Sequence, residues 1–186
     1  PLGDWINDLA VDTDGRLWVG ALRYALSKPV SVVGGVSAYT GDVSGSTAGD
    51  VGWTNYTTDN GLISDYVTAL AVDTAGRIWV GTRHGLSMFD GKRWRSYTRA
   101  DGLPNLSVTD VATDPAGGVW VTTWGGGAAY VDGTNAWSYI TTVGMADRVV
   151  NALAEDAAGG IWFATAGGVS HFDGDLWTSY TALDGL

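Results

Sequence analysis

The sequence contains no cysteine, only 4 prolines and 2 histidines, and 10 Lys and Arg residues against 20 Asp and Glu residues. Without cysteine, a disulfide framework and thiol chemistry are excluded. The net charge of −10 argues against nucleic acid and anionic membrane surfaces as partners, because both attract basic proteins. No apolar run approaches the roughly 20 residues of a membrane helix, so we expect no membrane insertion of this segment.

Glycine and tryptophan are abundant instead, with 28 and 10 copies, and the tryptophans mark an internal repeat. A segment of the type Trp-Val-Gly recurs around Trp18, Trp79, Trp120 and Trp162, at spacings of 61, 41 and 42 residues. A repeat of about 40 residues, rich in short apolar runs and turn residues, is typical of propeller blades.

The second copy shows the unit most clearly. We predict strands at Val67–Asp73 (strand A), Arg77–Thr82 (B), Gly85–Phe89 (C) and Trp94–Thr98 (D). The turn between strands C and D begins with Asp90-Gly91, a pair that favours tight hairpins. The sequence therefore predicts an all-β fold, a β-propeller domain over residues 1–186 with four blades of four antiparallel strands, at approximately 1–58, 59–99, 100–142 and 143–182.

Both chain termini fall at the link from strand D to strand A, because Asp184-Gly185-Leu186 followed by Pro1 restores the phrase Asp101-Gly102-Leu103-Pro104. The first and last blade faces should then be apolar and exposed, and such faces bind partners. Three arrangements remain open: a closed four-bladed ring, an eight-bladed ring formed by two chains (a homodimer), or a part of a larger propeller.

Two groups of conspicuous residues are interpreted as structural. The tryptophans of strands B and D should fill the space between packed sheets. The Asp-x-x-Gly turns at Asp12, Asp73, Asp114 and Asp156 should accept hydrogen bonds from nearby backbone N–H groups. No His, Asp and Glu cluster has metal-ligand spacing, so we predict no metal and no cofactor.

A binding face is predicted where the D-to-A links and B-to-C loops emerge. Several aromatic and basic residues that break the repeat fall in these loops, and aromatic rings beside polar groups suit sugars or peptides. The candidate ligand-binding residues are Trp5, Tyr24, Tyr66, Arg83, His84, Trp124 and Arg148. The first copy carries two insertions, 22–34 on this face and a Gly/Ser-rich one at 42–52 on the other.

Support for catalysis is weak, and no catalytic residue is assigned. His171 lies beside Phe172 in a strand and is interpreted as a half-exposed strand residue. Loop aspartates Asp4, Asp65 and Asp147 could pair across a cavity as an acid and a base, which keeps a glycan hydrolase or lyase as an alternative.

Two copies of the repeat resemble the two-component regulator propeller repeat. The first runs through Asn60-Gly61-Leu62, Trp79-Val80-Gly81-Thr82, Gly85-Leu86 and Phe89, and the second contains Asp101-Gly102-Leu103-Pro104, Val108–Asp114 and Trp120. The resemblance implies a bacterial, extracytoplasmic (periplasmic or extracellular) sensor portion of a membrane-bound regulator, and some such sensors bind oligosaccharides. It also implies rings of seven or more blades. The long first copy departs from the pattern.

These observations lead to a ligand-binding sensor module, not an enzyme, that recognises a small molecule or a carbohydrate on the predicted face. The alternative of another class is a structural module that self-associates into a ring without a specific ligand.

Overall fold

The chain forms four separate four-stranded antiparallel sheets, one for each copy of the repeat. The computed structural model describes residues 5–24, 32–39, 52–115, 117–139 and 144–186. In each sheet, strands that follow one another in the sequence are hydrogen-bonded neighbours, so the sheets run β1–β4, β5–β8, β9–β12 and β13–β16. We call these sheets blades 1 to 4. The predicted all-β propeller fold of four blades is confirmed.

The strand bounds follow the repeat closely. Blade 1 contains β1 (Trp5–Val11), β2 (Leu17–Tyr24), β3 (Val32–Tyr39) and β4 (Trp53–Tyr56). Blade 2 contains β5 (Val67–Val72), β6 (Ile78–Thr82), β7 (Gly85–Phe89) and β8 (Trp94–Tyr97). Blade 3 contains β9 (Val108–Asp114), β10 (Gly118–Thr123), β11 (Gly127–Val131) and β12 (Ala136–Tyr139). Blade 4 contains β13 (Val150–Glu155), β14 (Ile161–Thr165), β15 (Gly168–Phe172) and β16 (Trp177–Tyr180).

Single 3-10 turns follow three of the outermost strands, at Thr58–Asn60, Arg99–Asp101 and Ala182–Asp184. From the sequence alone, these segments are expected to be plain links. Each turn begins at a threonine whose side chain accepts a backbone N–H, and the third residue of the turn bonds back to the threonine N–H. This capping box fixes the direction in which the chain leaves one blade for the next.

The insertion at 22–34 was predicted to be a loop, and this was partly wrong. Leu22, Arg23 and Tyr24 continue β2 and pair with Gly34, Val33 and Val32 of β3. The hairpin is therefore three residue pairs longer than its counterparts, because apolar and β-branched residues continue on both sides. Residues 25–31 of this insertion, and all of the insertion at 42–52 except Gly52, lie outside the described residues.

The blades pack face to face around their first strands: β1 contacts β5, β5 contacts β9, and β9 contacts β13. We number these contacts joints 1, 2 and 3. A separate buried apolar cluster fills each of the joints. Within the described strands no comparable contact joins β13 to β1, so the four blades do not close on themselves, and the closed four-bladed alternative is wrong.

The tryptophan columns lie between the sheets, as predicted. Trp18, Trp79 and Trp120 of the second strands are at most 3% exposed, and each stacks on or tilts against a tyrosine of the same blade. Trp162, the equivalent residue in blade 4, is only half-buried because no further blade covers it. The tryptophans of the outermost strands are less buried, and Trp137 is 46% exposed.

Candidate functional site

A cleft of about 670 Å³ opens where the first strands of the blades begin, on the face that carries the D-to-A links. Three of the seven predicted ligand-binding residues line it, namely Tyr66, Arg83 and Trp124. They come from two blades and from two different loop types, so the packing of the blades brings them together. The remaining lining residues are mostly amide and hydroxyl side chains: Asn7, Thr68, Ser107, Thr109 and Asn151, with Val108.

Arg83 lies over the ring of Tyr66, with its guanidinium carbon 3.8 Å from the ring centroid. The backbone holds the two residues together, because the Arg83 N–H donates to the Tyr66 carbonyl over 3.2 Å. A guanidinium at this distance is attracted by the π electrons of the ring. The pair therefore presents a flat, positively charged surface to the cleft.

Trp124 occupies in blade 3 the position that Arg83 occupies in blade 2, four residues after the buried tryptophan. Its N–H donates to the carbonyl of Ser107 over 2.8 Å, which repeats the backbone contact between Arg83 and Tyr66. The side chain is 58% exposed, although it lines the cleft. An indole fixed at its backbone and open on one face is suited to stacking against a ligand.

The other predicted residues are not brought into the cleft. Trp5 begins β1 and is 65% exposed. The Nδ1 atom of His84 lies 3.1 Å from Oγ of Ser64, and its N–H donates to Thr82, so His84 joins the loops of blade 2. Arg148 is exposed, and its carbonyl accepts from Gly127 over 2.7 Å. The side chain of Tyr24 lies outside the described part of the chain.

The residues predicted from the sequence do not include the polar residue that lies near the start of the first strand of each blade. Asn7, Thr68, Thr109 and Asn151 are equivalent residues of the four copies, and all four line the cleft. A signal was available, since the first strand of a propeller blade lies next to the ring axis and a polar residue recurs there in every copy.

Two carboxylates lie one residue beyond this polar ring, at Asp8 and Asp110. Burial raises the pKa of Asp110 above its ordinary value, against the effect of backbone N–H groups of Leu153 and Val111, and the charge of Asp8 raises it further. Two acidic side chains, from blades 1 and 3, therefore lie on the first strands near the centre of the blade array.

Two of the three loop aspartates considered as an acid and a base have structural partners. Asp65 accepts the N–H of Thr58 over 2.7 Å, and Asp147 accepts the N–H of Val149 over 2.7 Å. Asp4 lies outside the described residues. In the part of the chain that the structure describes, no group of three or more His, Asp and Glu side chains could hold a metal ion.

No helix within the described segments is long and apolar enough to cross a bilayer.

The fold and its repeats define a β-propeller whose blades share one sequence motif. The family profile described as "two component regulator propeller" matches residues 2–23, 61–84, 102–125 and 144–167, which is just over half of the chain. The chain belongs to the two component regulator propeller family. The comparison with curated proteins found no match.

Solved structures share the fold at low identity. The extracellular domain of a hybrid two-component system from B. thetaiotaomicron is 19% identical with a TM-score of 0.76, over 97% of this chain and 23% of that one. PorZ, a surface component of the type-IX secretion system of Porphyromonas gingivalis, is 18% identical with a TM-score of 0.68, over 90% of this chain and 26% of that one.

An enzyme has the same fold: virginiamycin B lyase from Staphylococcus aureus is 12% identical with a TM-score of 0.68, over 95% of this chain and 55% of that one. The chain thus spans about a quarter of the length of the first two relatives and about half of the third. At these identities the likeness establishes the architecture, while function depends on the residues of the site.

Proposed function

We propose that this chain is an extracytoplasmic ligand-binding sensor module and that its ligand, a carbohydrate, binds in the cleft between Tyr66, Arg83 and Trp124. The observation that carries the proposal is the cleft itself, in which an arginine–tyrosine pair and an exposed indole stand around a ring of amide and hydroxyl side chains. Aromatic faces with a few placed hydrogen-bonding groups are the usual elements of small-molecule sites.

The chemistry of the lining favours a neutral, hydroxyl-rich ligand over an anionic one. Arg83 is the one cationic side chain among the lining residues, and its charge already faces a tyrosine ring. The chain carries a net charge of −10, and Asp8 and Asp110 lie next to the lining residues. An acidic surrounding repels anions, whereas sugar hydroxyls can bond to Asn7, Asn151 and Thr109 and stack on Trp124.

The extracytoplasmic location is supported by the family description and by solved structures that share the fold. The family description names two-component regulators, and three of the structures that share the fold are extracellular domains of one- or two-component systems. Sensing outside the cytoplasm would suit a module that binds a nutrient-like molecule and transmits the event to an attached regulator.

The open blade faces favour a second candidate function, a structural module whose role is assembly. Leu9, Val11 and Leu186 are apolar and more than half exposed on the two ends of the blade array. We also propose that self-association into a homodimer completes the ring around the cleft. Assembly and ligand binding are separable, because the faces and the cleft use different residues.

Calorimetric titration tests the sensor proposal, with a set of neutral cello-, xylo-, manno- and malto-oligosaccharides as probes. We expect one of these series to bind and Trp124→Ala and Arg83→Ala each to weaken that binding at least about tenfold, which corresponds to about 1.4 kcal/mol. The matched controls are Trp137→Ala and Arg93→Ala, which remove an exposed tryptophan and an exposed arginine from outer strands and turns.

Equal losses in the cleft variants and in their controls would overturn the cleft as the site. Absence of binding by every probe would favour the assembly function. Turnover of a probe that disappears in Asp65→Asn or Asp147→Asn would favour the glycan hydrolase or lyase that the loop aspartates leave open.

A further inference from the structure

Joints 1 and 3 each contain two polar bridges between the first strands of neighbouring blades. In joint 1 the Leu70 N–H donates to Oδ2 of Asp8 over 2.6 Å, and the Asn7 side-chain amide donates to the Val67 carbonyl over 2.6 Å. Joint 3 repeats this with other residues, because the Leu153 N–H donates to Asp110 over 3.0 Å and the Thr109 hydroxyl donates to the Val150 carbonyl over 2.8 Å. We call such a joint latched.

Among the residues that the structure describes, joint 2 has neither bridge. Ala69 occupies the position of Asp8 and Asp110, and Oγ1 of Thr68 is buried with no hydrogen-bond partner among the described atoms. A large apolar cluster holds this joint, with thirteen buried residues in the described part of the chain against eight in joint 1 and six in joint 3. Latched and unlatched joints therefore alternate along the chain, with a period of two blades.

The two open faces have the chemistry of an unlatched joint. Blade 4 carries Ala152 at the position of Ala69. Blade 1 carries Asp8, whose Oδ1 accepts the N–H of Leu9 over 2.8 Å. In joint 2, Asp110 of blade 3 accepts the N–H of its own neighbour Val111 over 2.8 Å in the same way. A contact between the open face of blade 4 and the open face of blade 1 would thus reproduce joint 2. Latched and unlatched joints would then continue to alternate.

Residues on these two faces are exposed, whereas their equivalents inside the joints are buried. Leu9 of blade 1 is 56% exposed, whereas its equivalents Leu70 and Val111 are 6% and 5% exposed within joints 1 and 2. On blade 4, Leu186 is 67% exposed, whereas its equivalent Leu103 is 3% exposed.

The glycines of the D-to-A links show the same difference at the outer edge of the blades. A Cβ atom placed on Gly61 would lie 3.0 to 3.4 Å from Trp94, and one placed on Gly144 would lie 2.9 Å from Cβ of Trp177, because each glycine packs on the outermost strand of the next blade. The equivalent Gly185 has no neighbour within 4 Å. The residue that would fill this place is the counterpart of Trp94 and Trp177 in blade 1, which is Trp53.

We propose that the partner of these faces is a second copy of this chain, bound head to tail in a two-fold ring of eight blades in which blade 4 of each copy packs on blade 1 of the other. This inference rests on the proposed self-association and specifies its faces and its number of blades. Two identical contacts close the ring, so no apolar face is left. An even number of blades also keeps latched and unlatched joints alternating all the way round.

Mass measurement of the 186-residue chain by light scattering is the first test, and we expect twice 19.4 kDa. Leu9→Glu places a charge in the proposed contact, and we expect a monomer that keeps its near-ultraviolet circular dichroism. The matched control is Leu176→Glu. Leu176 is 69% exposed but lies in an outer turn, where its blade 2 equivalent Arg93 stays exposed beside a packed joint, so the dimer should persist.

A cross-link gives an independent readout that does not depend on weakening the contact. Because the sequence has no cysteine, Gly185→Cys combined with Trp53→Cys introduces the only thiols. Their Cβ atoms should come within disulfide range only between copies. We expect oxidation to stop at a covalent dimer, while either single variant stays uncoupled under the same conditions.

A monomer at all concentrations, a dimer that Leu9→Glu leaves intact, or a ladder of higher oligomers on cross-linking would each overturn the eight-bladed ring. The ladder would indicate open head-to-tail growth, and the monomer would indicate that these faces bind other blades or another protein. Oligosaccharide titration reports on the cleft separately, so failure of the ring and failure of the sensor proposal are distinguishable.

Discussion

Trp79 donates its indole N–H to Oδ2 of Asp73 across 2.7 Å, and both side chains are buried. The same carboxylate receives the Arg77 Nε–H, and its other oxygen accepts the N–H groups of Ala75 and Arg77, each over 3.0 Å. One side chain therefore fixes the turn between β5 and β6 and orients the largest ring of joint 2. The tryptophan–aspartate bond recurs in the other three blades.

Replacing Asp73 with Ala should lower the free energy of unfolding by about 3 kcal/mol, because it leaves a buried indole N–H and the turn N–H groups without their acceptor. Urea unfolding followed by tryptophan fluorescence measures this loss. Asp59→Ala is the control, since Asp59 is exposed in a 3-10 turn. A loss of similar size at Asp59 would show that the buried network is not the cause.

Asp12 should make the chain less stable in acid. Burial raises the pKa of Asp12, but hydrogen bonds from the Trp18 indole, the Arg16 N–H and the Arg16 guanidinium together hold it below the ordinary value of 3.8. The stabilisation is therefore fully present above pH 3.8 and is lost as pH falls through the lowered value. In unfolding experiments from pH 6 downward, the Asp12→Asn variant should lose this part of the pH dependence of the free energy of unfolding. If the variant lost stability in acid just as the native chain does, the prediction would be contradicted.

Asp110 should have the opposite effect. Its pKa is raised, first by burial, so the folded chain holds a proton more tightly than the unfolded chain does. The contribution of Asp110 to stability should then fall as pH rises from 3.8 through the raised value. The stability of the native chain minus that of Asp110→Asn, measured at several pH values, should decrease across this window. A difference that increases with pH would show that the carboxylate is stabilised as an anion.

Gly102 should tolerate alanine less well than Gly91 does. Both have positive φ, at 107° and 89°, so alanine strains the backbone at either position. At Gly102 the added Cβ atom would also lie 2.5 Å from the Ala136 carbonyl oxygen, whereas at Gly91 it meets nothing within 4 Å. We expect losses of about 1 kcal/mol for Gly91→Ala and clearly more for Gly102→Ala by thermal unfolding. Equal losses would mean that the blades can separate locally.

The sequence predicted the blade architecture, because tryptophans and turn residues that recur along the chain can be recognised without knowledge of long-range contacts. Tyr66, Arg83 and Trp124 line one cleft in the structure, and their role in ligand binding stays a prediction. The sequence could not show that Asn7 and Asn151 join them, since that depends on how the first strands meet at the axis. The latches were hidden for the same reason, because Asp8 and Leu70 are 62 residues apart.

The contacts of His171 depend on the register between two strands, which the sequence alone does not reveal. It was predicted to be a half-exposed strand residue, which it is. The structure adds that it pairs with Trp162, stacks on that ring, and places Nε2 2.9 Å from Oδ2 of Asp156. It replaces the arginine that contacts the equivalent aspartates in blades 1 and 2, and Gly160 leaves the room, since a Cβ there would collide with the imidazole.

The alternation of aspartate and alanine at positions 8, 69, 110 and 152 makes the pair of blades the modular unit of this protein. Inserting or deleting a single blade would put two like joints side by side, either crowding carboxylates at the axis or leaving a strand N–H without its acceptor. Lengthening or shortening by two blades preserves every contact type. A design that makes the ring wider or narrower should therefore add or remove blades in pairs.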